Sequence, residues 1–553
     1  MKNFSPGQDA VCSLRVGRFH VQLHERAIVF FLLALFMLLN LGSIRNKTLT
    51  TDEPKHYQYG RNILNLNSDR FDDSKMPFSA LNALPAKLAE LVTLEPLNTF
   101  LQKPQTGRIV TMAFSIGVAF FVYRWSRSLY GVLPGLLSLF LYVFDPNIIA
   151  HSRLVTTDVY ALGMIFLTLY TFWLFSRDPS WKFATLSAVT LGFSQLAKYT
   201  CAYLYPILAI LVIIRGLPAL VKNLGDKAYP AIGRKIAIAL GWSLFFLVIS
   251  LLIINIGFLF NDTLMPLGEY TFRSELFQGI QERLSLLGSL PVPFPYPYIE
   301  GLDWVKARER SGGGYGRVYL LGETREVGGF NGYYIVASIL KVPLAAQVLI
   351  LLAFVFFLKN WDKTEFFDQD IFLLVPVIFF FFYFNFFYRA QIGIRFYLVL
   401  FPFLYVFAGR LLQDWRARQV SYKVVLAVLI VAQVVSVGVH FPHYIPYFNA
   451  LVWDQRDAYN YLADSNLDWE QAEWYLDRFM EAHPEAKFEP SRPTLGTIVV
   501  SPNKLVGVEG PPDGFLWLRE HFRPRKTIAD VYLVYEITED AYNAVRDQIE
   551  TEQ

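Results

Sequence analysis

The chain has 553 residues, 54% of them hydrophobic and 16% aromatic, and Phe alone occurs 49 times. Only 18% are charged, against roughly 25% in ordinary soluble proteins, and the apolar residues fall in continuous runs of the kind that cross membranes. This excludes an ordinary soluble enzyme, and a net charge of +3 is too small to suggest a nucleic-acid partner.

Residues 1–26 are polar and basic, with Lys2, Arg15, Arg18 and Arg26, and are expected to form a cytoplasmic N-terminus. The run Ala27–Ile44 reads as a retained signal anchor and first span, because no small-x-small cleavage pattern closes it. Residues 45–107 form a long polar loop. Within it, Thr50-Thr51-Asp52-Glu53-Pro54-Lys55-His56-Tyr57 admits two readings. One is a helix start, with Thr50 and Glu53 at capping-box spacing and Pro54 at a first helical position. The other is a general base held where membrane meets water, and a cap would hold that carboxylate in place. Later in the loop, Phe78 to Leu94 has apolar residues at helical spacing and is expected to lie on the membrane surface.

Further spans are predicted at 108–123, 129–144, 157–176, 183–197, 199–215, 236–259, 333–358, 371–388, 394–411 and 424–441, which with the first makes about eleven. Placing the N-terminus inside puts Arg124, Arg127, Arg177, Lys182, Lys222, Lys227, Arg234, Lys235, Lys359, Lys363, Arg416, Arg418 and Lys423 in inside loops, as the positive-inside rule requires. The loops 45–107 and 260–332 and the tail 442–553 then share the outer side. The loop 260–332 holds the stiff stretch Pro291-Val292-Pro293-Phe294-Pro295 and, at Ser311-Gly312-Gly313-Gly314-Tyr315-Gly316, glycines dense enough to predict mobility. The tail carries strand-like pieces at Gly496–Ser501 and Asp530–Ile537 and a helix-like piece at Trp469–Met480, enough for a small α/β domain. The fold expected is an α-helical polytopic membrane protein, with a transmembrane domain over 27–441 and a C-terminal domain over 442–553. Cys12 precedes the first span and Cys201 lies in or near a later one, so no disulfide is expected.

A second acidic helix start, Thr157-Asp158, opens the fourth span on the same face as Asp52. Cations gather at the outer ends of spans: Lys198 in a turn, Lys341 inside the eighth, and Arg389 and Arg395 around Gly393-Ile394-Arg395-Phe396-Tyr397. Each either snorkels to the interface or faces the interior, where Arg forks and Lys point charges suit phosphate oxygens. Carboxylates and phosphate-binding cations on one membrane face fit one chemistry in particular. The cations hold the phosphate of a lipid-linked sugar, and a carboxylate takes the proton of an acceptor that attacks the anomeric carbon. No Walker, HExxH or paired CxxC motif is present, and the scattered histidines give no metal set.

On these residues the chain resembles the membrane-embedded C-type glycosyltransferases that use polyprenyl-phosphate sugars. The resemblance is to glycosyltransferase family 39, the protein O-mannosyltransferase and aminoarabinose-transferase branch. It covers most of the chain and rests on Asp52-Glu53, Thr157-Asp158, Lys198, Gly332-Tyr333-Tyr334, Lys341-Val342-Pro343, Gly393–Tyr397, Tyr447-Phe448-Asn449 and Asp464–Gln471. It implies a GT-C fold, Asp52 as catalytic base with Glu53 beside it, and Asp158 organising acceptor or base. It further implies Lys198, Arg389, Arg395 and, more weakly, Lys341 as donor-phosphate ligands, with His56 and Tyr397 as further substrate-binding candidates. The donor would be a polyprenyl-phosphate sugar and the acceptor a lipid, glycan or protein. The tail does not look like a β-trefoil, which argues against a protein acceptor. Members differ in metal dependence, so no cofactor is assigned and a divalent metal stays open. The expected location is a bacterial inner or plasma membrane, with the active site and C-terminal domain on the extracytoplasmic side. The alternatives are a transporter or lipid-carrier flippase, though no matching halves with broken spans are visible, and a non-catalytic scaffold.

Overall fold

The structure, a computed structural model, describes residues 10–16, 19–311 and 316–552. The centre of the glycine-rich stretch, 312–315, and the first nine residues lie outside it. Each predicted apolar run is helical. Eight helices are long and apolar enough to cross a membrane among the described residues: Glu25–Ser43, Pro104–Tyr130, Asp158–Arg177, Tyr199–Gly225, Tyr229–Gly257, Lys363–Phe387, Ile394–Leu412 and Val420–Val439. Two bent pairs raise the number to ten, and the 17-residue helix Trp181–Ala197 occupies the remaining predicted span. The chain is an integral membrane protein.

The bends have local causes. Val132–Val143 meets Pro146–Ser152 at 64°. The break falls at Asp145, whose carboxylate caps the second helix by accepting from the amides of Asn147 at 2.7 Å and Ile148 at 2.9 Å. Tyr333–Lys341 meets Leu344–Lys359 at 113°. There Pro343 forces Val342 out of the helical region, to φ −84° and ψ 135°.

Burial separates inner from outer helices. In Asp158–Arg177, 83% of the most apolar window is buried in protein, against 11% in Tyr229–Gly257. The first is apolar all round because helices surround it, and the second because its surface faces lipid. Trp125, Phe166, Trp173 and Phe403 pack at the centre, with the Trp125 ring 5.2 Å from Phe166 and 5.9 Å from Trp173.

The polar loop after the first span folds as three helices, Glu53–Leu64, Ser79–Ala89 and the short Glu95–Leu101, and the first two pack together. They approach so closely at Gly60 that a Cβ there would meet the Ser79 carbonyl. In the tail, Lys487–Phe488 runs parallel to Gly496–Val500, which pairs antiparallel with Tyr532–Ile537, and that strand with Lys526–Ile528. Helices Glu473–Ala482, Leu516–His521 and Glu539–Glu552 accompany this small sheet. Residues 442–471 hold no strand and no helix beyond the short 3-10 segments Gln455–Asn460 and Asp464–Asn466. They are threaded into the membrane body, where Tyr444, Tyr447 and Phe448 are fully buried. Lys341 Nζ donates to the carbonyls of Ile445 at 2.7 Å and Asn466 at 2.6 Å, and Asn449 Nδ2 to those of Ile339 and Val342. The tail is thereby stitched across the sharper bend.

Candidate active site

A polar cavity of about 530 Å³ opens where the first polar loop, the loop after Gly257 and the tail converge. Asp52 enters it from the start of Glu53–Leu64. As the residue preceding that helix it makes no capping bond of its own, which leaves its carboxylate to the cavity. Glu53 does the local work instead, accepting from the Thr50 amide at 2.8 Å. This is half of the capping box that the sequence suggested.

Four charges form a chain across the floor. Arg395 Nη1 donates to Asp52 Oδ2 at 2.9 Å and lies 4.0 Å from Asp158 Oδ2. Lys198 Nζ donates to Asp158 Oδ1 at 2.5 Å. The Arg395 guanidinium lies 4.1 Å from the centre of the Trp469 ring, and Lys198 Nζ 3.9 Å from that of Phe396. Gly393 sets up this placement. Its φ of +125° is open to glycine and strained for other residues, and it turns the chain into the helix that carries Arg395 and Phe396. Two carboxylates and two cations balance, so the floor is neutral overall and strongly dipolar.

Burial pushes the Asp52 carboxyl up, but the charge and hydrogen bond of Arg395, with Lys75 further off, outweigh it and hold the group below the usual carboxylate range. Asp52 is therefore ionised at neutral pH. His56 goes the other way: burial, with Lys75 nearby, pushes its imidazole down to about 3. It is neutral, with Nδ1 3.2 Å from the Ser79 hydroxyl, and offers the cavity a polar atom without a charge.

Of the residues proposed from sequence, Asp52, His56, Asp158, Lys198 and Arg395 line the cavity, whereas Glu53, Lys341, Arg389 and Tyr397 do not. Glu53 is fully buried and takes four donors: Arg108 Nε at 2.8 Å, Arg108 Nη2 at 2.6 Å, and the amides of Thr50 and Val155. Lys341 is used up by the tail carbonyls. Arg389 donates to Asn331 Oδ1 at 2.7 Å on the surface. Tyr397 stacks on Tyr334, with ring centres 5.3 Å apart.

The cavity has further walls that sequence reasoning left without a role. Lys55 and Lys75 face it from the first loop, Lys75 pairing with Asp72 at 3.0 Å. Trp304, Arg308 and Glu309 come from the helix Tyr296–Ser311, with Arg308 3.9 Å from the centre of the Trp304 ring. Asp464, Asp468, Trp469 and Glu509 come from the tail. Burial pushes the carboxyls of Asp464 and Asp468 up to about 7 each. Among the described residues no group of three or more His, Cys, Asp or Glu side chains is arranged to hold a metal ion.

Residues 99–242 match the family model described as dolichyl-phosphate-mannose-protein mannosyltransferase. The match spans the helices that carry Asp158 and Lys198. The chain thus resembles a C-type glycosyltransferase family in sequence, over part of its length, as its motifs indicated. No curated protein matches the sequence significantly. Among solved structures the chain is similar to ArnT from Cupriavidus metallidurans bound to undecaprenyl phosphate. That match has 12% identity, covers 93% of this chain and 98% of the other, and has a TM-score of 0.41. It is also similar to the oligosaccharyltransferase of Archaeoglobus fulgidus in the apo form, with 14% identity over 74% of this chain and 55% of that one and a TM-score of 0.45. The same organism's AglB, in complex with an inhibitory peptide and a dolichol-phosphate, matches at 13% identity over 77% and 58%, with a TM-score of 0.42.

Proposed function

We propose that the protein is a glycosyltransferase that moves one sugar from a polyprenyl-phosphate carrier to an acceptor on the extracytoplasmic face of the membrane. The observation that carries this reading is the Asp52–Arg395–Asp158–Lys198 chain in a cavity at the membrane boundary. Arg395 and Lys198 bind the donor phosphate. An acceptor hydroxyl or amine attacks the anomeric carbon from the side opposite the phosphate, so the configuration inverts. The bond from that carbon to the phosphate oxygen breaks, and its electron pair leaves with the polyprenyl phosphate, stabilised by the two cations. Asp52 takes the acceptor proton.

The Arg395–Asp52 contact adds a gating feature to this mechanism. Without donor, Arg395 holds Asp52 ionised and weakly basic. A donor phosphate competes for the guanidinium and loosens its hold, so the carboxylate becomes a stronger base once there is something to transfer. Asp158 keeps Lys198 in place. This reading keeps the domain limits 27–441 and 442–553, with Asp464, Asp468, Trp469 and Glu470 of the C-terminal domain lining the cavity.

The test is donor consumption by purified protein in detergent, over a panel of polyprenyl-phosphate sugars with membrane extract as acceptor source, followed by mass spectrometry. One lipid donor is expected to disappear and to give an inverted product. Asp52→Asn should keep donor binding and lower turnover roughly 10²–10⁴-fold, the range for a general base. No consumption across the panel would overturn the reading in favour of a transporter, and retention of configuration would overturn the one-step mechanism.

A further inference from the structure

The chain leaves the span Tyr229–Gly257 and returns to the helix Tyr296–Ser311 through a closed lobe. Its neck is tied by backbone bonds from Leu264 to Val292 at 3.0 Å, Val292 to Met265 at 3.0 Å and Gly268 to Gly288 at 2.8 Å. Inside the lobe runs the helix Glu275–Arg283, capped by the Ser274 hydroxyl. Polar anchors hold it to the body. Asp303 accepts from the amides of Arg273 at 2.7 Å and Ser274 at 2.9 Å and from the Ser274 hydroxyl at 2.6 Å. Arg273 pairs with Asp73 at 2.9 Å.

Several aliphatic side chains are left outward among the polar ones. Leu276 is 51% exposed, Ile280 40%, Leu287 49%, Leu290 55% and Leu286 98%. Leu276 and Ile280 share one face of the short helix, and Leu286, Leu287 and Leu290 follow in the turns after it. So many exposed aliphatic side chains within one short stretch of a polar loop favour a docking role over chance exposure. The occupant follows from continuity. The outward residues Leu252 and Ile256 of the span are 50% and 54% exposed, and Phe260 and Leu264, on the way into the neck, are 55% and 57% exposed. Apolar exposure of the kind found along the span therefore resumes in the neck on both sides of the exposed Asp262, whose charge suits headgroup depth. Glu282 and Arg283 at the end of the short helix suit headgroup depth.

We propose that this lobe docks in the membrane surface, with its leucines in the headgroup–acyl boundary beside the span Tyr229–Gly257. Asp303 immediately precedes Trp304 of the cavity wall, so the docked lobe holds that wall at a fixed height above the bilayer. The inference does not depend on the glycosyl-transfer reading.

Site-directed spin labelling of the full chain in phosphatidylcholine–phosphatidylglycerol nanodiscs tests it. In a Cys12→Ser background, with Cys201 buried, the label is placed at Leu286→Cys and, for comparison, at Arg478→Cys on the tail helix, where the side chain is 67% exposed. Collision with oxygen relative to a water-soluble nickel chelate should be several-fold higher at 286 than at 478. Equal nickel access at both sites would place the lobe in water. Low access to both reagents at 286 would place a protein surface there. Either result overturns the proposal.

Discussion

Asp52 and Glu53 are adjacent carboxylates on one loop, and the structure gives them opposite jobs, which substitution should separate. Glu53→Gln keeps size and shape but removes the charge. Four donors converge on this side chain, two from Arg108 and two from backbone amides. A glutamine has one acceptor oxygen, and its own NH₂ would point at other donors. Arg108, 2% exposed, would be left as a buried charge without its counter-charge. Breaking such a pair costs about 3–5 kcal/mol, or roughly two to four powers of ten in the folded-to-unfolded ratio. The assay is an unfolding titration in mixed micelles, with thermal midpoints as a second readout, on Glu53→Gln, Arg108→Gln, the double variant and Asp52→Asn. Glu53→Gln should lose stability in this range, and the double variant should lose less than the sum of its singles by at least about 1 kcal/mol. Asp52→Asn, about a third exposed in the cavity, should unfold almost like the parent. A Glu53→Gln protein as stable as the parent but slowed in turnover would refute this reasoning and return Glu53 to the chemistry.

Arg395→Lys keeps one nitrogen for the carboxylates but gives up the planar fork suited to a phosphate and the stacking on Trp469, so donor affinity should fall roughly tenfold or more. Arg389→Ala, outside the cavity, should leave that affinity unchanged, and titration with a labelled polyprenyl phosphate reads both. Asp468 supplies a pH test. Its carboxyl lies at about 7 in the folded chain, above the ordinary aspartate value, so the folded state keeps a proton that the unfolded chain has released. That stabilisation is complete below the ordinary value and is lost as pH rises through 7. Asp468→Asn should therefore melt higher than the parent at pH 8, with a smaller gap at pH 5, and equal gaps at the two pH values would contradict the assignment.

The helices were legible because hydropathy reports how long a segment stays apolar. It does not report direction, so the break at Val342-Pro343 was hidden inside one predicted span, and the short helix beyond Asp145 fell outside the span predicted at 129–144. Asp52, Asp158, Lys198 and Arg395 stood out because a charge at the end of an apolar run has few cheap places to go. By the same signal Glu53, Lys341 and Arg389 look identical to them. What separates them is a partner far away in sequence: Arg108 for Glu53, the carbonyls of Ile445 and Asn466 for Lys341, and Asn331 for Arg389. Asp464, Asp468 and Glu509 drew no attention as site residues because acidic side chains are unremarkable in a polar tail. Only the fold reveals that they are turned towards the cavity.

The stitch at Lys341 bears on how the protein is made. The helix that carries Lys341 is synthesised about a hundred residues before Ile445 and Asn466, which later accept its bonds. During that interval a nascent chain holds an ammonium group at the membrane with its final partners still in the ribosome. The bundle therefore reaches its native state only when the late segment threads back between helices already delivered to the bilayer. A chain released early would be an unfinished assembly for membrane quality control to recognise, and not a smaller working version of the protein.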